Sequence, residues 1–128
     1  MLETGIKGHE EEQVSEKNTA KAMSSGLLNV YATPALIALA EETAWKSVAP
    51  ELEEGQGTVG TKLDIAHISA TPVGMKVWCD TELIEIDRRR LKFSVEVFDE
   101  AGKIAEGTHE RFIVENKPFE EKAYNKLK

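Results

Sequence analysis

Thr33-Pro34-Ala35-Leu36-Ile37-Ala38-Leu39-Ala40-Glu41-Glu42, with Pro50 eight residues further on, is the stretch on which the fold turns. Threonine followed by proline reads as an N-cap and first-turn pair. The hydroxyl can accept a backbone N–H, and proline has no donor to leave unpaired. From Ala35 to Ala40 every position is apolar, whereas a helix lying on a surface alternates between a wet and a dry side. The spacing therefore predicts one long helix enclosed by the rest of the chain and stopped by Pro50. Within it, Glu41 shares a face with Ile37, Ala44 and Val48, so its carboxylate is drawn toward the apolar side, where an unpaired charge is costly. Glu42 instead lines up with Lys46 at i+4, as a surface ion pair would. If the helix is rotated, both carboxylates are simply solvated.

Beyond the helix the sequence alternates with period two. Leu91, Phe93, Val95 and Val97 point one way and Lys92, Ser94 and Glu96 the other, which predicts a strand over 91–98 with one wet face. Asp99-Glu100-Ala101-Gly102 is a hairpin turn. Further strands are expected over 58–69 and 73–86, joined by Ala70-Thr71-Pro72, and over 103–114. Before the helix, residues 13–23 read as a polar strand and the first ten as either frayed or an edge strand. After Pro118 an amphipathic tail suggests a terminal helix. One buried helix and an antiparallel sheet wrapped around it make an α+β chain of hotdog type. Such a sheet has open edges, so pairing of two copies edge to edge is a natural completion.

With 128 residues and 41% hydrophobic content the chain suits one domain, spanning 1–128. No apolar run is long enough to span a membrane, and residues 1–13 are acidic where an export signal would be basic and apolar. The expectation is a cytoplasmic protein with no membrane partner. A net charge of −7 disfavours nucleic acid, whose phosphates demand many lysines and arginines. Coenzyme A carries only a few phosphates, so a local cluster such as Arg88-Arg89-Arg90 with Lys92 would suffice, although a basic turn is commonly just a solvated one. Cys79 is the one cysteine, and His9, His67 and His109 lie far apart, so no disulfide, structural zinc or metal site is expected.

Four stretches taken in order resemble the thioesterases similar to fluoroacetyl-CoA thioesterase, within the hotdog superfamily. They are Tyr31-Ala32-Thr33-Pro34, the helix with Glu41-Glu42, His67-Ile68-Ser69-Ala70-Thr71-Pro72-Val73-Gly74, and Gly107-Thr108-His109-Glu110-Arg111-Phe112. The resemblance runs from about Val14 to Val114. It implies a catalytic threonine, glutamate and histidine, matched by Thr33, Glu41 and His67, with substrate-binding roles for a glycine matched by Gly60 and an arginine matched by Arg111. It also implies an acyl-CoA substrate, no cofactor, and a homodimer that can pair further into a tetramer. The residues that would line the acyl pocket are not matched, so the fluorinated substrate is not carried over.

Each residue has a plainer role as well. Thr33 at a helix start needs no catalysis to explain it, yet the positive end of the helix dipole also stabilises an oxyanion. A strand-end histidine such as His67 is commonly a structural hydrogen-bonder, but an imidazole beside a hydroxyl and a carboxylate can move protons. Gly60 within a strand marks either a β-bulge or the close approach of a ligand. Arg111 shares a strand face with Ala105, Gly107, His109 and Ile113, which suits a ligand wall, an interface or an internal ion pair. The expected activity is hydrolysis of a short-chain acyl-CoA thioester to a carboxylic acid and free CoA. Glu41 would activate Thr33 or a water, and His67 would assist proton transfer. The alternatives are a non-catalytic acyl-CoA-binding hotdog module and a hotdog hydratase.

Overall fold

The alternating segments form five strands in a computed structural model that describes residues 1–128. They are β1 (Lys7–Gln13), β2 (Gln56–His67), β3 (Lys76–Asp87), β4 (Arg90–Asp99) and β5 (Gly102–Glu115). All neighbours are antiparallel in the order β1-β3-β4-β5-β2, which leaves β1 and β2 at the edges. Helix α1 (Thr33–Val48) lies across one face, and α2 (Asn116–Tyr124) comes after β5 with no buried residue. This is the α+β hotdog arrangement that the sequence leads one to expect. No helix is long and apolar enough to cross a membrane.

The core sits between α1 and the inner face of the sheet. Leu36, Leu39, Ala40, Ala44 and Val48 of the helix are buried, as are Val77, Cys79 and Leu83 of β3 and Leu91, Phe93, Val95 and Val97 of β4. Helix α1 is less enclosed than its composition suggests, because the sheet covers only one of its sides. Pro34, Ala38 and Trp45 fall on one outward strip, with Trp45 43% exposed. At the other side β1 crosses very close. A Cβ on Gly8 would lie 2.7 Å from the Thr43 carbonyl oxygen, so only glycine fits.

One segment before the helix differs from the sequence reading. The first strand is Lys7–Gln13, and residues 13–23 are not a strand: after Val14 the chain makes turns and a lone bridge between Thr19 and Tyr31. Asn18 explains this, since its side chain accepts from the Ser15 N–H at 2.8 Å and donates to the Gln13 carbonyl at 3.0 Å. Local side-chain bonds of this kind compete with ladder pairing.

Two buried polar contacts anchor the approach to α1. The Tyr31 hydroxyl donates to Glu12 of β1 at 2.5 Å. Asp99 closes the β4–β5 turn by accepting from Ala101 N at 2.8 Å and Gly102 N at 3.1 Å, and its other oxygen accepts from the Thr71 hydroxyl at 2.7 Å. Thr71 in turn offers its carbonyl to Tyr31 N at 2.9 Å, two residues before Thr33.

Candidate active site

Thr33 is not the N-cap. Ala32 takes that position in extended conformation, no side chain caps the helix, and Thr33 is its first residue. A threonine hydroxyl can serve one geometry at a time, and here it lies 2.8 Å from His67 Nδ1 at the end of β2. The other ring nitrogen, Nε2, is buried without a partner, and burial lowers the imidazole pKa. His67 thus has one nitrogen on a hydroxyl and the other buried and unpaired, in surroundings that disfavour its charged form. A cavity of about 270 Å³ opens beside this pair, walled by Ala20, Val30, Tyr31, Ile68 and Ala70.

Glu41 lies two helical turns further on, on the Ala44 and Val48 side, half-buried. It receives Arg111 Nη1 at 3.3 Å. Arg111 is buried and held firmly: Nε donates to Thr58 Oγ1 at 2.8 Å and Nη2 to the Thr58 carbonyl at 2.9 Å. Gly60 sits beneath this ion pair. A Cβ there would be 2.5 Å from Glu41 Oε2 and 3.3 Å from Arg111 Nη1, so the missing side chain is what lets the carboxylate settle on the strand. Glu42 pairs with Lys46 Nζ at 2.6 Å in solvent. The distinction drawn between the two glutamates from helical spacing is the one observed.

The five residues therefore form two groups within the chain, Thr33 with His67 and Glu41 with Gly60 and Arg111. Eight residues of helix separate Thr33 from Glu41, about 12 Å of rise. Both groups nonetheless face the same side of the sheet, and the reason is a β-bulge. In strict alternation Gly60 and His67, an odd number of residues apart, would point to opposite faces. The pairing of β2 with β5 shifts between Gly60 and Lys62, where Thr61 is the extra residue, so Gly60 opposes Arg111, Leu63 opposes His109 and His67 opposes Ala105. One inserted residue returns His67 to the inner face. Of the two readings offered for Gly60 the β-bulge is the one observed, and the side chain that comes close there is the protein's own Glu41.

The sequence assigns His109 no role, although it lies in the Gly107–Phe112 stretch and alternation puts it on the Arg111 face. It is 1% exposed, with Nδ1 2.8 Å from the Lys62 carbonyl and Nε2 3.2 Å from Arg111 Nη1. The arginines of the β3–β4 turn all stand against acids: Arg88 at 3.5 Å from Asp87, Arg89 at 3.8 Å from Glu115, and Arg90 on Glu85 and, at 3.4 Å, Glu110. Burial pushes the Cys79 thiol up to about 12, which makes it inert.

Comparison with known proteins places this geometry. The family model described as fluoroacetyl-CoA-specific thioesterase matches residues 14–117. A fluoroacetyl-CoA thioesterase from Streptantibioticus cattleyicolor is 36% identical over 97 residues, covering 76% of this chain and 70% of that protein. A serine-for-threonine variant of a fluoroacetyl-CoA thioesterase, solved with acetyl-CoA, superposes with a TM-score of 0.94 at 28% identity over 99% of this chain and 100% of its own. A hot-dog-like protein from Thermanaerovibrio acidaminovorans shares the fold, with a TM-score of 0.89 at 20% identity over 99% of this chain and 94% of its own.

Proposed function

The chain belongs to the fluoroacetyl-CoA-specific thioesterase family, and from that premise we propose that it hydrolyses a short-chain acyl-CoA thioester to a carboxylic acid and free CoA, with Thr33, His67 and Glu41 as catalytic residues. The observation that carries this is the Thr33 hydroxyl at 2.8 Å from His67 Nδ1 beside a cavity of about 270 Å³ with mixed polar and apolar walls. A hydroxyl given up by the helix cap and handed to a neutral imidazole is placed to lose its proton. The cavity volume suits a short acyl group.

The same reading makes the working unit a homodimer, in the cytoplasm. Strand β2 has a free edge, and two such strands paired antiparallel about the midpoint between Gly60 and His67 would set His67 of one protomer against Gly60 of the other. Glu41 of the partner subunit would then approach the unpaired Nε2 of His67, giving hydroxyl, imidazole and carboxylate in sequence. His67 takes the proton as Thr33, or a water in its place, attacks the thioester carbonyl. Glu41 holds the imidazole in the productive tautomer and stabilises its charged form. Backbone N–H groups at the start of α1 and near Gly60 receive the developing oxyanion. Gly60 and Arg111 serve substrate binding by keeping that wall open and electropositive.

Release of CoA thiol from a panel of short acyl-CoAs, monitored with a thiol-reactive dye, tests the activity. Release above the uncatalysed rate that is abolished by Thr33→Ala supports it. A protein that binds acyl-CoA without releasing thiol is the non-catalytic module instead, and loss of enoyl-CoA absorbance without thiol release is the hydratase.

A further inference from the structure

We propose that His109 is a positioning residue of this site: it bridges the Arg111 guanidinium to the Lys62 carbonyl and so fixes both the carboxylate of Glu41 and the bulge that turns His67 inward. The inference rests on the thioesterase reading for its kinetic consequence and on geometry alone for the rest.

The two contacts of His109 require a single protonation state. The Lys62 carbonyl can only accept, so Nδ1 carries the hydrogen in the 2.8 Å bond. Arg111 can only donate, so Nε2, 3.2 Å from its Nη1, offers a lone pair. The ring is therefore neutral and protonated on Nδ1. Charged groups facing it are Arg111 and Glu110 on β5 and Glu41 on α1; from β4 it meets the Phe93 ring, stacked at 6.2 Å between centroids. Burial, aided by the charge of Arg111, lowers its pKa and preserves this state.

Position decides what the bridge secures. Arg111 Nη1 has two hydrogens, one for Glu41 Oε2 and one for His109. Without the imidazole the guanidinium keeps Thr58, but the second Nη1 hydrogen is left buried without an acceptor beside the Glu41 contact. Lys62 comes directly after the extra residue Thr61, so its carbonyl is where the bulged strand rejoins the ladder. Removing the Nδ1 donor leaves that carbonyl free to slip, and a slip of one residue would turn Ile65 and His67 to the outer face.

Three substitutions separate the two bonds. His109→Phe keeps the ring volume and removes both; His109→Asn retains a donor near the Nδ1 position, and His109→Gln an acceptor near that of Nε2. With folding checked by melting temperature, His109→Phe is expected to lower kcat by about ten- to a hundredfold, the scale of an ångström of misplacement, with KM changed less than about threefold. His109→Asn and His109→Gln should each recover part of the loss. Nitrogen-15 NMR of the wild-type imidazoles adds a readout independent of activity: His109 should show the Nδ1-protonated tautomer and stay mostly neutral at pH 6.5. A folded His109→Phe enzyme with full kcat, or a ring protonated on Nε2, overturns the proposal. If His109→Phe does not fold, the NMR tautomer and the Asn and Gln variants decide. A wild-type protein inactive on every acyl-CoA would sink the thioesterase reading while leaving the tautomer result to stand.

Discussion

Replacing Gly60 by alanine should make the protein less active with no gain in stability. Gly60 has no left-handed backbone angle, so alanine is allowed there, and glycine within a strand costs about 0.5–1 kcal/mol relative to alanine. That gain is offset by the loss of the Glu41 contact to the buried Arg111, a cost of about 1–3 kcal/mol, so the melting temperature should be unchanged or lower. The new Cβ would lie 2.5 Å from Glu41 Oε2, where a carbon and an oxygen ordinarily approach no closer than about 3.3 Å. The carboxylate, at the end of a flexible side chain, must retreat by close to an ångström and leave Arg111. A displacement of that size costs on the order of a hundredfold in rate. Turnover of an acyl-CoA, read by thiol release beside a melting curve, gives both effects in one experiment. The double variant Gly60→Ala, Glu41→Gln should be no slower than Glu41→Gln alone, because the alanine acts only by moving a carboxylate already neutralised. Full turnover in Gly60→Ala, or additive losses in the double variant, would refute the reasoning.

Thr33→Ala should lower turnover by about a hundredfold or more while costing less than the roughly 1 kcal/mol of a lost N-cap, since its hydroxyl caps nothing; turnover and melting temperature decide. Glu41→Gln should be comparably damaging and Glu42→Gln nearly silent, as Glu42 only pairs with Lys46 in solvent; steady-state kinetics separate them. His67 and His109 have pKa values lowered in the folded state, so their contribution to stability is present above about pH 6.5 and is lost as pH falls through their folded values. His9, raised by Asp80 and Glu11, acts in the opposite direction. In a His9→Gln background the melting temperature should therefore fall more steeply between pH 7 and pH 5, and adding His109→Gln should flatten the fall. Light scattering at micromolar concentration should report a dimer, and a monomer with full activity would sink the shared site.

Helix α1 was legible because six consecutive apolar residues behind Thr33-Pro34 admit no other reading, and Glu41 was picked out from Glu42 by spacing alone. Strand β4 was legible because alternation runs its whole length, and β2, β3 and β5 keep enough of it to be found although bulges interrupt it. Two things were not. The cap at Thr33 is what residue preference dictates, but His67, 34 residues downstream, claims the hydroxyl instead. The bulge at Thr61 left no mark in the sequence beyond Gly60, and without it His67 counts to the wrong face. His109 carries no role in the sequence because its importance lies in the Lys62 carbonyl and the Arg111 guanidinium, and only alternation hints at the second of these. The polar strand read over 13–23 failed because Asn18 satisfies backbone groups locally, which period-two counting does not register.

Asp99 makes the far end of the sheet answerable for the start of the helix. Its two oxygens hold the β4–β5 turn and Thr71, and Thr71 holds Tyr31. The amides of Ala101, Gly102 and Tyr31 are thus linked through one carboxylate, and the expected outcome is that they open together although they stand far apart in the chain. Their hydrogens should exchange with deuterium as a set, slower than those of residues 24–29 beside them, and Asp99→Asn should accelerate the whole set together. Slow exchange there would mean that the backbone leading into Thr33 is kept in register by a turn lying far downstream in the chain, on the opposite side of the sheet's last hairpin.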